Sequence, residues 1–490
     1  MMTPSDDGFP EGFVRASRNI MFDRGYAYTR GRFAPSAITT TFTSLPRWGK
    51  AFILLDTAYN LIVCENHLFR LNADNSLSAI TAASFDMQSS TEFSAASVNG
   101  IVLIPARNAT YSWDPTGLTT GTITFAGGVS GYRYVTSHIS RAVVACANTL
   151  AFPGAITVAW SVSGSATDFT STGSGSTALS DAPDRITGLA SMKNILVIPR
   201  RKGFHLGYPT GTSVPAFRFE TFAREGIGCY YPSTWANDSN IAMFCGHDNV
   251  YSFDVSRIRS IGDPIQDELF ELLKLGVPYQ GFITNNRRGL YSRAHYHLFP
   301  CIRTAYAGPV MLKQTRFPHY IYDMQSGAWS RHFYLAADDG EPAFAFNRIT
   351  SLVSDGVSII TNNQFVKEEA IGECETGYGV RTHAFTIGKD VDVATLHRIA
   401  LKHRKFDTTR SLDIVVRFRN SEGNTISVRA RAAGYDQSDG DWIISWFNVV
   451  AVGQFFELDI IGIEDTRLTT GMLFLEYSLE DQYRGPSSNA

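Results

Sequence analysis

The feature that most constrains the fold is a pattern that recurs seven times along the chain. A short apolar run, a polar turn and an aromatic-rich run return at start-to-start spacings of 44, 47, 46, 47, 69 and 44 residues. The copies begin at His67, Tyr111, Val158, Phe204, Tyr251, Tyr320 and Gln364. A repeat of this length is typical of a β-propeller blade or of another stacked array. The sequence therefore predicts an all-β protein built around a β-propeller of six to seven blades.

The clearest copies of the repeat share an ending, Tyr-x-aromatic-Asp. These endings, YSWD, YSFD and YIYD, finish on Asp114, Asp254 and Asp323. Aromatic residues pack well between blades, and an aspartate readily starts a turn by accepting hydrogen bonds from the backbone that follows. We therefore interpret the endings as blade architecture, with a catalytic role of the carboxylates as the alternative.

The one long spacing coincides with a predicted helix at residues 263–276, inserted between blades. Asp263 is expected as its N-cap, Pro264 at its first position and Gly276 at its end. One helix face is apolar and carries Ile265, Leu269, Leu272 and Leu273. Such a helix should dock on the propeller rim or on a neighbouring subunit.

The period is lost near residue 380, and cleaner alternation follows. Strands are predicted at Leu412–Phe418, Ile426–Ala430, Trp442–Phe447, Phe455–Ile461 and Met472–Tyr477. Such a group of alternating strands is typical of a β-sandwich. We therefore divide the chain into an extended N-terminal segment that contributes to the propeller (1–50), the propeller with its helical insertion (51–380) and a C-terminal β-sandwich (381–490).

Charge is distributed unevenly in the C-terminal part. Residues 398–431 hold nine Lys or Arg against three acids, whereas residues 432–490 hold two Arg against ten acids. Strand alternation places four arginines on one sheet face if their strands pair. They are Arg417, Arg419, Arg429 and Arg431. This basic strip is a candidate protein interface or DNA contact, and the alternative is a solvated face balanced by the acidic half.

Other candidate sites are weaker. His295 and His297 lie on one strand face without a third metal ligand nearby in sequence, so a packed or exposed pair is favoured. The basic turns 200–202 and 287–288 are interpreted as solvated hairpin tips. The six cysteines lack a CxxC motif and are expected to be reduced, buried thiols.

Several classes of function are disfavoured by what the sequence lacks. The net charge of −3 provides no general basic field for nucleic acid. The sequence shows no signal peptide and no apolar stretch long enough for a bilayer, which predicts a soluble protein made in a cytosol. No nucleotide, hydrolase or metalloprotease motif occurs in the right context. We therefore expect no enzymatic activity, no metal and no cofactor.

Three segments resemble a known family in the same order along the chain. They are RNIMFDRGYAYTRGRFAP (18–35), ITVAWSVSGSATDFTSTGSGS (156–176) and GQFFELDIIGIEDTRLTTGMLFLEYSLED (453–481). The second matches a W-S-x-x-G-x-x-T-D-F loop at Trp160, Ser161, Gly164, Thr167, Asp168 and Phe169. Together the segments resemble the tail nozzle, also called tail hub or packaged-DNA stabilisation protein, of short-tailed bacteriophages.

The resemblance implies a structural virion protein that assembles in the host cytoplasm. Such proteins form a homohexameric ring below the portal and adaptor rings and continue the DNA channel. They retain the packaged genome, contact a needle or plug and the tail fibres or spikes, and guide ejection past transient, non-specific contacts with double-stranded DNA. Neither catalytic residues nor membrane insertion are implied. The alternatives are a propeller on the virion that binds a host glycan receptor and a cell-wall or capsule hydrolase in a propeller frame.

Overall fold

The protein is described by a computed structural model that forms two compact units. The described residues are 14–18, 20–23, 26–29, 33–35, 46–54, 57–64, 66–72, 74, 76–82, 85–86, 94–147, 154–181, 184–212, 214–222, 226–274, 279–284, 294–300, 318–325, 327–332, 348–350, 358–360, 365–368, 379–382, 385–386, 394–404, 412–419, 425–439, 442–453, 455–462 and 470–479. The propeller unit comprises Phe33–Gln314 and Phe344–Glu368. The sandwich unit comprises Met1–Arg32, Thr315–Ala343 and Glu369–Ala490. The division into three consecutive parts stays a prediction.

Short N-terminal strands precede five consecutive antiparallel sheets of four strands each. The N-terminal strands are β1 (Val14–Arg18), β2 (Ile20–Asp23), β3 (Tyr26–Thr29) and β4 (Phe33–Pro35). Blade 1 contains β5 (Pro46–Leu54), β6 (Thr57–Cys64), β7 (Leu68–Leu71) and β8 (Leu77–Ile80). Blade 2 contains β9 (Ala96–Val98), β10 (Ile101–Pro105), β11 (Thr110–Trp113) and β12 (Thr120–Thr122). Blade 3 contains β13 (Tyr132–His138), β14 (Arg141–Ala147), β15 (Thr157–Trp160) and β16 (Gly175–Ala178).

The remaining strands of the propeller unit follow the same order. Blade 4 contains β17 (Ala190–Met192), β18 (Ile195–Pro199), β19 (Phe204–Pro209) and β20 (Phe217–Phe222). Blade 5 contains β21 (Ala236–Asn237), β22 (Ala242–Cys245), β23 (Val250–Phe253) and β24 (Ile258–Ser260). A hairpin of β25 (Tyr279–Thr284) and β26 (His295–Pro300) comes next. Short 3-10 turns cover Ala126–Gly128, Gly154–Ile156, Pro232–Thr234 and Asp263–Ile265.

The C-terminal strands complete the last blade and the sandwich unit. The first group is β27 (His319–Asp323), β28 (Trp329–His332), β29 (Arg348–Thr350), β30 (Ser358–Ile360), β31 (Phe365–Glu368), β32 (Gly379–Thr382) and β33 (Phe385–Thr386). The second group is β34 (Ala394–Arg404), β35 (Leu412–Arg419), β36 (Thr425–Asp439), β37 (Trp442–Gly453), β38 (Phe455–Gly462) and β39 (Thr470–Leu479). The described chain is thus almost entirely β, as predicted.

The recurrent sequence pattern corresponds to one position in the blade. Six of the seven copies supply the third strand of a four-stranded sheet, namely β7, β11, β15, β19, β23 and β31. The remaining copy is β27, which pairs with β28. The aromatic residues of two of the clearest copies, Trp113 and Phe253, are buried, and Tyr322 of the third is half-buried. Burial against the next blade therefore explains why the pattern repeats.

The propeller unit closes into a ring through its N-terminal strand. Strand β4 pairs with β31 and completes the sheet β29-β30-β31-β4, so the outer strand of the last blade comes from the start of the chain. The β25–β26 hairpin contacts both blade 5 and this last blade, and β29 in turn contacts β5 of blade 1. Six four-stranded blades and one hairpin thus form a continuous ring, which confirms the predicted propeller.

The described residues contain one α-helix, at the predicted insertion between blade 5 and the β25–β26 hairpin. This helix, α1, spans Gln266–Lys274 and buries Leu269, Phe270 and Leu273. The predicted N-cap was wrong, because Gly262 precedes the helical turn and the Asp263 carboxylate instead accepts hydrogen bonds from Ser260 and Asn249. The predicted end at Gly276 lies outside the described residues. No helix in the described part is long and apolar enough to cross a membrane.

The sandwich unit has two sheet layers joined by one long strand. Residues 425–431 of β36 pair with β35, and residues 432–439 pair with β37. One layer contains β3, β39, β34 and β37, and the other contains β35, β38, β32 and β1. Side chains from both layers fill the core between them: Leu396, Ile399, Leu401, Ile414, Val416, Phe418, Phe447, Val449, Phe456, Leu458 and Ile460. The predicted C-terminal sandwich is therefore confirmed, with β34 as a strand that the sequence analysis missed.

Candidate functional site

The structure places the basic strip on the outer face of the layer that contains β35. In the register of β35 and β36, Val415 lies opposite Arg429 and Asp413 lies opposite Arg431. Arg417 and Arg419 occupy alternate positions on β35 between the core residues. The predicted pairing of the two arginine-bearing strands is therefore correct. The side chains of Arg419 and Arg431 lie outside the described residues, whereas Arg429 is exposed.

Arg417 is partly neutralised by its own chain. Its Nη2 lies 2.6 Å from Oδ2 of Asp459, which is nearly buried on the adjacent strand β38. Glu457 lies directly opposite Arg417 in the same register. Both acids belong to the acidic half of the sandwich. At this position the structure thus favours the interpretation of an outer face balanced by internal counter-charges, and Arg429 is the strip residue that is described as exposed.

Replacing Arg417 should therefore reduce stability before it affects any partner. Arg417→Ala leaves the nearly buried Asp459 without its charged donor, and we expect the free energy of unfolding to fall by about 1–3 kcal/mol. Arg429→Ala serves as the matched control, because an exposed arginine should cost within about 0.5 kcal/mol. Urea unfolding of both variants measures the difference. Equal stability of the two variants would contradict the structural role of Arg417.

The aspartates of the repeat build turns. Asp114 Oδ1 accepts hydrogen bonds from the backbone nitrogen and hydroxyl of Thr116, at 3.0 and 2.7 Å. Asp254 and Asp323 accept backbone hydrogen bonds in the same way from the residues that follow them. The hydroxyl and backbone hydrogen bonds from Thr116 lower the pKa of Asp114. The three carboxylates thus act as turn acceptors, which supports the architectural interpretation.

The loop that carries the W-S-x-x-G-x-x-T-D-F resemblance, residues 161–174, is an ordered connection between β15 and β16. The Ser161 hydroxyl donates to the Ser165 carbonyl at 2.6 Å, and the buried Phe169 packs edge-on against Phe125. Hydrogen bonds from Ser171 and Thr170 lower the pKa of Asp168 to about 2. Gly164 has a φ of 82°, which favours glycine. The matching residues therefore shape the loop.

The structure contradicts the expected solvated tip at Arg200, whereas Arg201 and Lys202 are exposed as expected. The side chain of Arg200 is only 1% exposed, and its Nε lies 3.0 Å from Oδ1 of Asp184. Its guanidinium also donates to the carbonyls of Leu179 and Asp184. His205 lies on the other side, with Nε2 2.7 Å from Oδ1 of Asp181. We call Asp181, Asp184, Arg200, His205 and Thr221 the inter-blade clasp, because it joins the connection after blade 3 to blade 4.

The inter-blade clasp is satisfied internally. His205 Nδ1 lies 3.4 Å from the Arg200 guanidinium and accepts a hydrogen bond from it. The imidazole proton is therefore on Nε2, which donates a hydrogen bond to the Asp181 carboxylate. Thr221 also donates its hydroxyl to Asp181. Burial lowers the pKa of His205 and outweighs the opposing effect of Asp181. The clasp holds a neutral imidazole between two charges and offers no nucleophile, which fits a structural role.

Buried histidines also make the fold sensitive to acid. His138 links blades 3 and 4 through Nδ1, 2.7 Å from the Ser191 hydroxyl, while its buried Nε2 has no hydrogen-bond partner in the described structure. Burial lowers the pKa of His138 from 6.5 to about 4. The neutral form of His138 is therefore favoured in the folded state. Its contribution to the free energy of unfolding is complete above pH 6.5 and is lost as the pH falls towards 4.

We expect the free energy of unfolding to fall by up to about 3 kcal/mol across this pH range through His138 alone. His205 adds a loss in the same direction. Urea unfolding at a series of pH values measures the dependence. His138→Gln should flatten the curve, since the glutamine side chain stays neutral throughout the range. A curve with the same slope in the wild type and in His138→Gln would contradict this assignment.

The remaining sequence candidates are core residues. His295 and His297 are both buried, and His297 stacks on Phe282 with ring centroids 4.6 Å apart, so the packed arrangement is confirmed. Among the described residues, no group of three potential ligands could hold a metal ion. The four described cysteines are buried thiols: Cys64, Cys146, Cys229 and Cys245. Cys301, Cys374 and the turn 287–288 lie outside the described residues.

Comparison with solved structures finds similarity in the fold alone. No protein-family model matches the chain, and no curated protein matches it. A streptogramin B lyase structure is similar at 10% identity and a TM-score of 0.43, covering 70% of this chain and 97% of that one. The extracellular domain of a one-component system from B. thetaiotaomicron is similar at 10% identity and a TM-score of 0.44, covering 92% of this chain and 60% of that one.

An inactive variant of virginiamycin B lyase from Staphylococcus aureus, solved with quinupristin, is similar at 9% identity and a TM-score of 0.43. The match covers 69% of this chain and 98% of that chain. Likeness at this level concerns the fold and carries no conclusion about activity or ligands.

Proposed function

We propose that this chain is a structural virion protein that forms the nozzle, or hub, ring of a short bacteriophage tail. In this role the ring continues the DNA channel below the adaptor, retains the packaged genome and guides its ejection. The contacts of such a ring are with other copies of the chain, with the portal adaptor, with a needle or plug and with fibres or spikes. DNA passes through it with transient, non-specific contacts, and no catalytic step is required.

The observation that carries this proposal is the position of the three segments that resemble the nozzle family. The first segment contributes the hairpin β2–β3 to the sandwich unit and the closing strand β4 to the propeller unit. The second forms the ordered loop of blade 3. The third supplies β38 and β39, on opposite layers of the sandwich, and β39 meets β3 where Ala27 pairs with Thr470. All three segments thus belong to the architecture of the chain.

The chemistry of the described residues supports the same proposal. The repeated aspartates hold turns, and the inter-blade clasp is internally paired. Closely packed β-structure of this kind suits the wall of a channel, because interiors packed at crystal-like density resist deformation. A chain with a net charge of −3 also suits a tube through which DNA must slide, because many lumenal cations would retain phosphates.

Mass photometry and negative-stain electron microscopy of the purified protein, alone and with a portal-adaptor ring, test the proposal. We expect a hexameric ring with an open axial channel that binds end-on to the adaptor. A monomer that never assembles under either condition would overturn the proposal. A monomer that instead binds members of a glycan array would favour the receptor-binding alternative.

A further inference from the structure

One edge of the propeller unit is formed by two kinds of turn. Each blade is a four-stranded antiparallel sheet, so the turns between its first and second strands and between its third and fourth strands emerge at the same edge. We call these turns the turn face. Its described members are residues 72, 74, 76, 99–100, 114–119, 139–140, 161–174, 193–194, 210–212, 214–216, 238–241 and 254–257.

Hydrogen bonds join the turn face into one surface. The Asn99 side chain of blade 2 donates to the Ser140 carbonyl of blade 3 at 3.3 Å. The Lys193 backbone of blade 4 donates to the Ser239 carbonyl of blade 5 at 2.9 Å. Lys193 Nζ also donates to the Asp254 carbonyl at 3.1 Å, which connects the two kinds of turn. A partner could therefore contact several blades at once.

Among the described residues of the propeller unit, the exposed large apolar side chains lie on the turn face or, in the case of Ile53 near the end of β5, next to it. Ile53, next to the turn between β5 and β6, is 67% exposed, and Val214, in the turn between β19 and β20, is 65% exposed. Ile139 is 48% exposed, and Leu118 is the fourth member of this set. Single exposed apolar residues are ordinary, but their concentration on one edge indicates a contact surface.

Ile139 combines exposure with an unfavourable backbone conformation. It has a φ of 47° and forms a tight two-residue turn with Ser140, whose φ is 55°. Such turns favour Asn, Asp or Gly, and a β-branched residue in the left-handed region is strained. Val255 adopts a similar conformation but packs against the core of blades 4 and 5. Because half of the Ile139 side chain faces solvent, a contact outside the folded chain would explain its presence.

The sandwich unit carries a second uncovered apolar surface. On β37 the core residues alternate with Asn448, Val450 and Val452, and Val450 is 72% exposed. On the neighbouring β34, the Arg398 guanidinium lies 5.3 Å over the Trp446 ring and donates to Asn448 at 3.1 Å. We call Arg398, Trp446, Asn448, Val450 and Val452 the valine patch. It is apolar with an exposed cation.

We propose that the valine patch of one copy docks on the turn face of the next copy, and that this head-to-tail contact builds the ring of the proposed function. The two surfaces are complementary in charge. The described turns carry Asp74, Asp114, Asp168, Asp238 and Asp254 against Lys193 and Arg257. Asp114 and Asp168 are held ionised by their turn hydrogen bonds. Arg398 would meet this acidic surface while the valines meet Ile139.

A contact between two different surfaces of one chain is heterologous and closes into a ring when its rotation permits. The test uses one variant on each surface. Ile139→Asn relieves the turn and removes the apolar side chain, and Val450→Glu introduces an anion that faces an acidic partner. Each variant should weaken assembly at least about tenfold in dissociation constant, measured by mass photometry over a concentration series. Ile139→Asn should melt no lower than the wild type, which excludes unfolding as the cause.

Mixing the two variants separates this contact from any other. Each retains one intact surface, so the mixture should form heterodimers and no rings. Asn194→Gly is the matched control, since it changes another left-handed position of the same surface without removing apolar area, and it should assemble as the wild type does. Wild-type rings with unaltered assembly of both variants would overturn this inference and leave the proposed function intact. A wild type that never assembles would overturn both.

Discussion

Replacing the buried Arg200 by leucine should lower the free energy of unfolding by about 3–5 kcal/mol. Arg200→Leu removes a guanidinium that contacts Asp184 and the Leu179 carbonyl inside the inter-blade clasp. The carboxylates and carbonyls that remain would still be buried but would lack their hydrogen-bond donor, because water cannot easily take the place of the guanidinium. The midpoint and slope of urea unfolding measure the loss.

The neighbouring residue provides the control for this experiment. Arg201 is exposed and lies 5.3 Å over the Tyr230 ring, so Arg201→Leu should cost at most about 1 kcal/mol. Both variants lose one positive charge, and they differ in burial. Similar losses in the two variants would show that net charge, rather than the clasp, governs stability in this turn.

Replacing Trp113 by alanine should also lower the free energy of unfolding by about 3–5 kcal/mol. Trp113 is the aromatic residue of one Tyr-x-aromatic-Asp copy, is fully buried and packs in the core shared by blades 1 and 2. Its Nε1 donates to the Gly117 carbonyl at 3.0 Å and so supports the Asp114 turn. The variant loses apolar contacts, leaves a cavity and removes this hydrogen bond.

Two further variants divide these contributions. Trp113→Phe retains most of the apolar volume and should lose about 1–2 kcal/mol, because the Gly117 carbonyl loses its donor. Ser112→Ala, at the adjacent half-buried position on the same strand, should cost within about 1 kcal/mol. A Trp113→Ala protein as stable as Ser112→Ala would contradict the assignment of this aromatic position to the inter-blade core.

Local patterns predicted the elements that depend on short-range sequence. The repeat identified the third strand of the blades because alternation and buried aromatics recur within a few residues. The same alternation placed Arg417 and Arg429 correctly in the register of β35 and β36. The partner of Arg417 was missed as a pair, since Asp459 comes from a strand distant in the chain. The sequence predicted only that acids from the acidic half of the sandwich would balance the arginines, without naming the residue that pairs with Arg417.

The inter-blade clasp shows why the burial of Arg200 in the basic turn was not predicted. A run of Arg, Arg and Lys in a turn is usually solvated, and nothing local distinguishes Arg200 from Arg201. The available signal was the pair Asp181 and Asp184 in the connection before blade 4. That connection and the turn between the second and third strands lie at the same edge of the sheet. Combining the repeat with this topology would have placed the charges together.

The pairing of β4 with β31 has a consequence for synthesis. Pro35 pairs with Val366, so the ring cannot close until nearly three quarters of the chain has left the ribosome. Until then β31 is missing and the early strand β4 has no sheet to join. Contacts this distant in sequence form slowly, and unpaired strand edges invite association between nascent chains. We expect the blade ring to close late in folding, after the folding nucleus has formed.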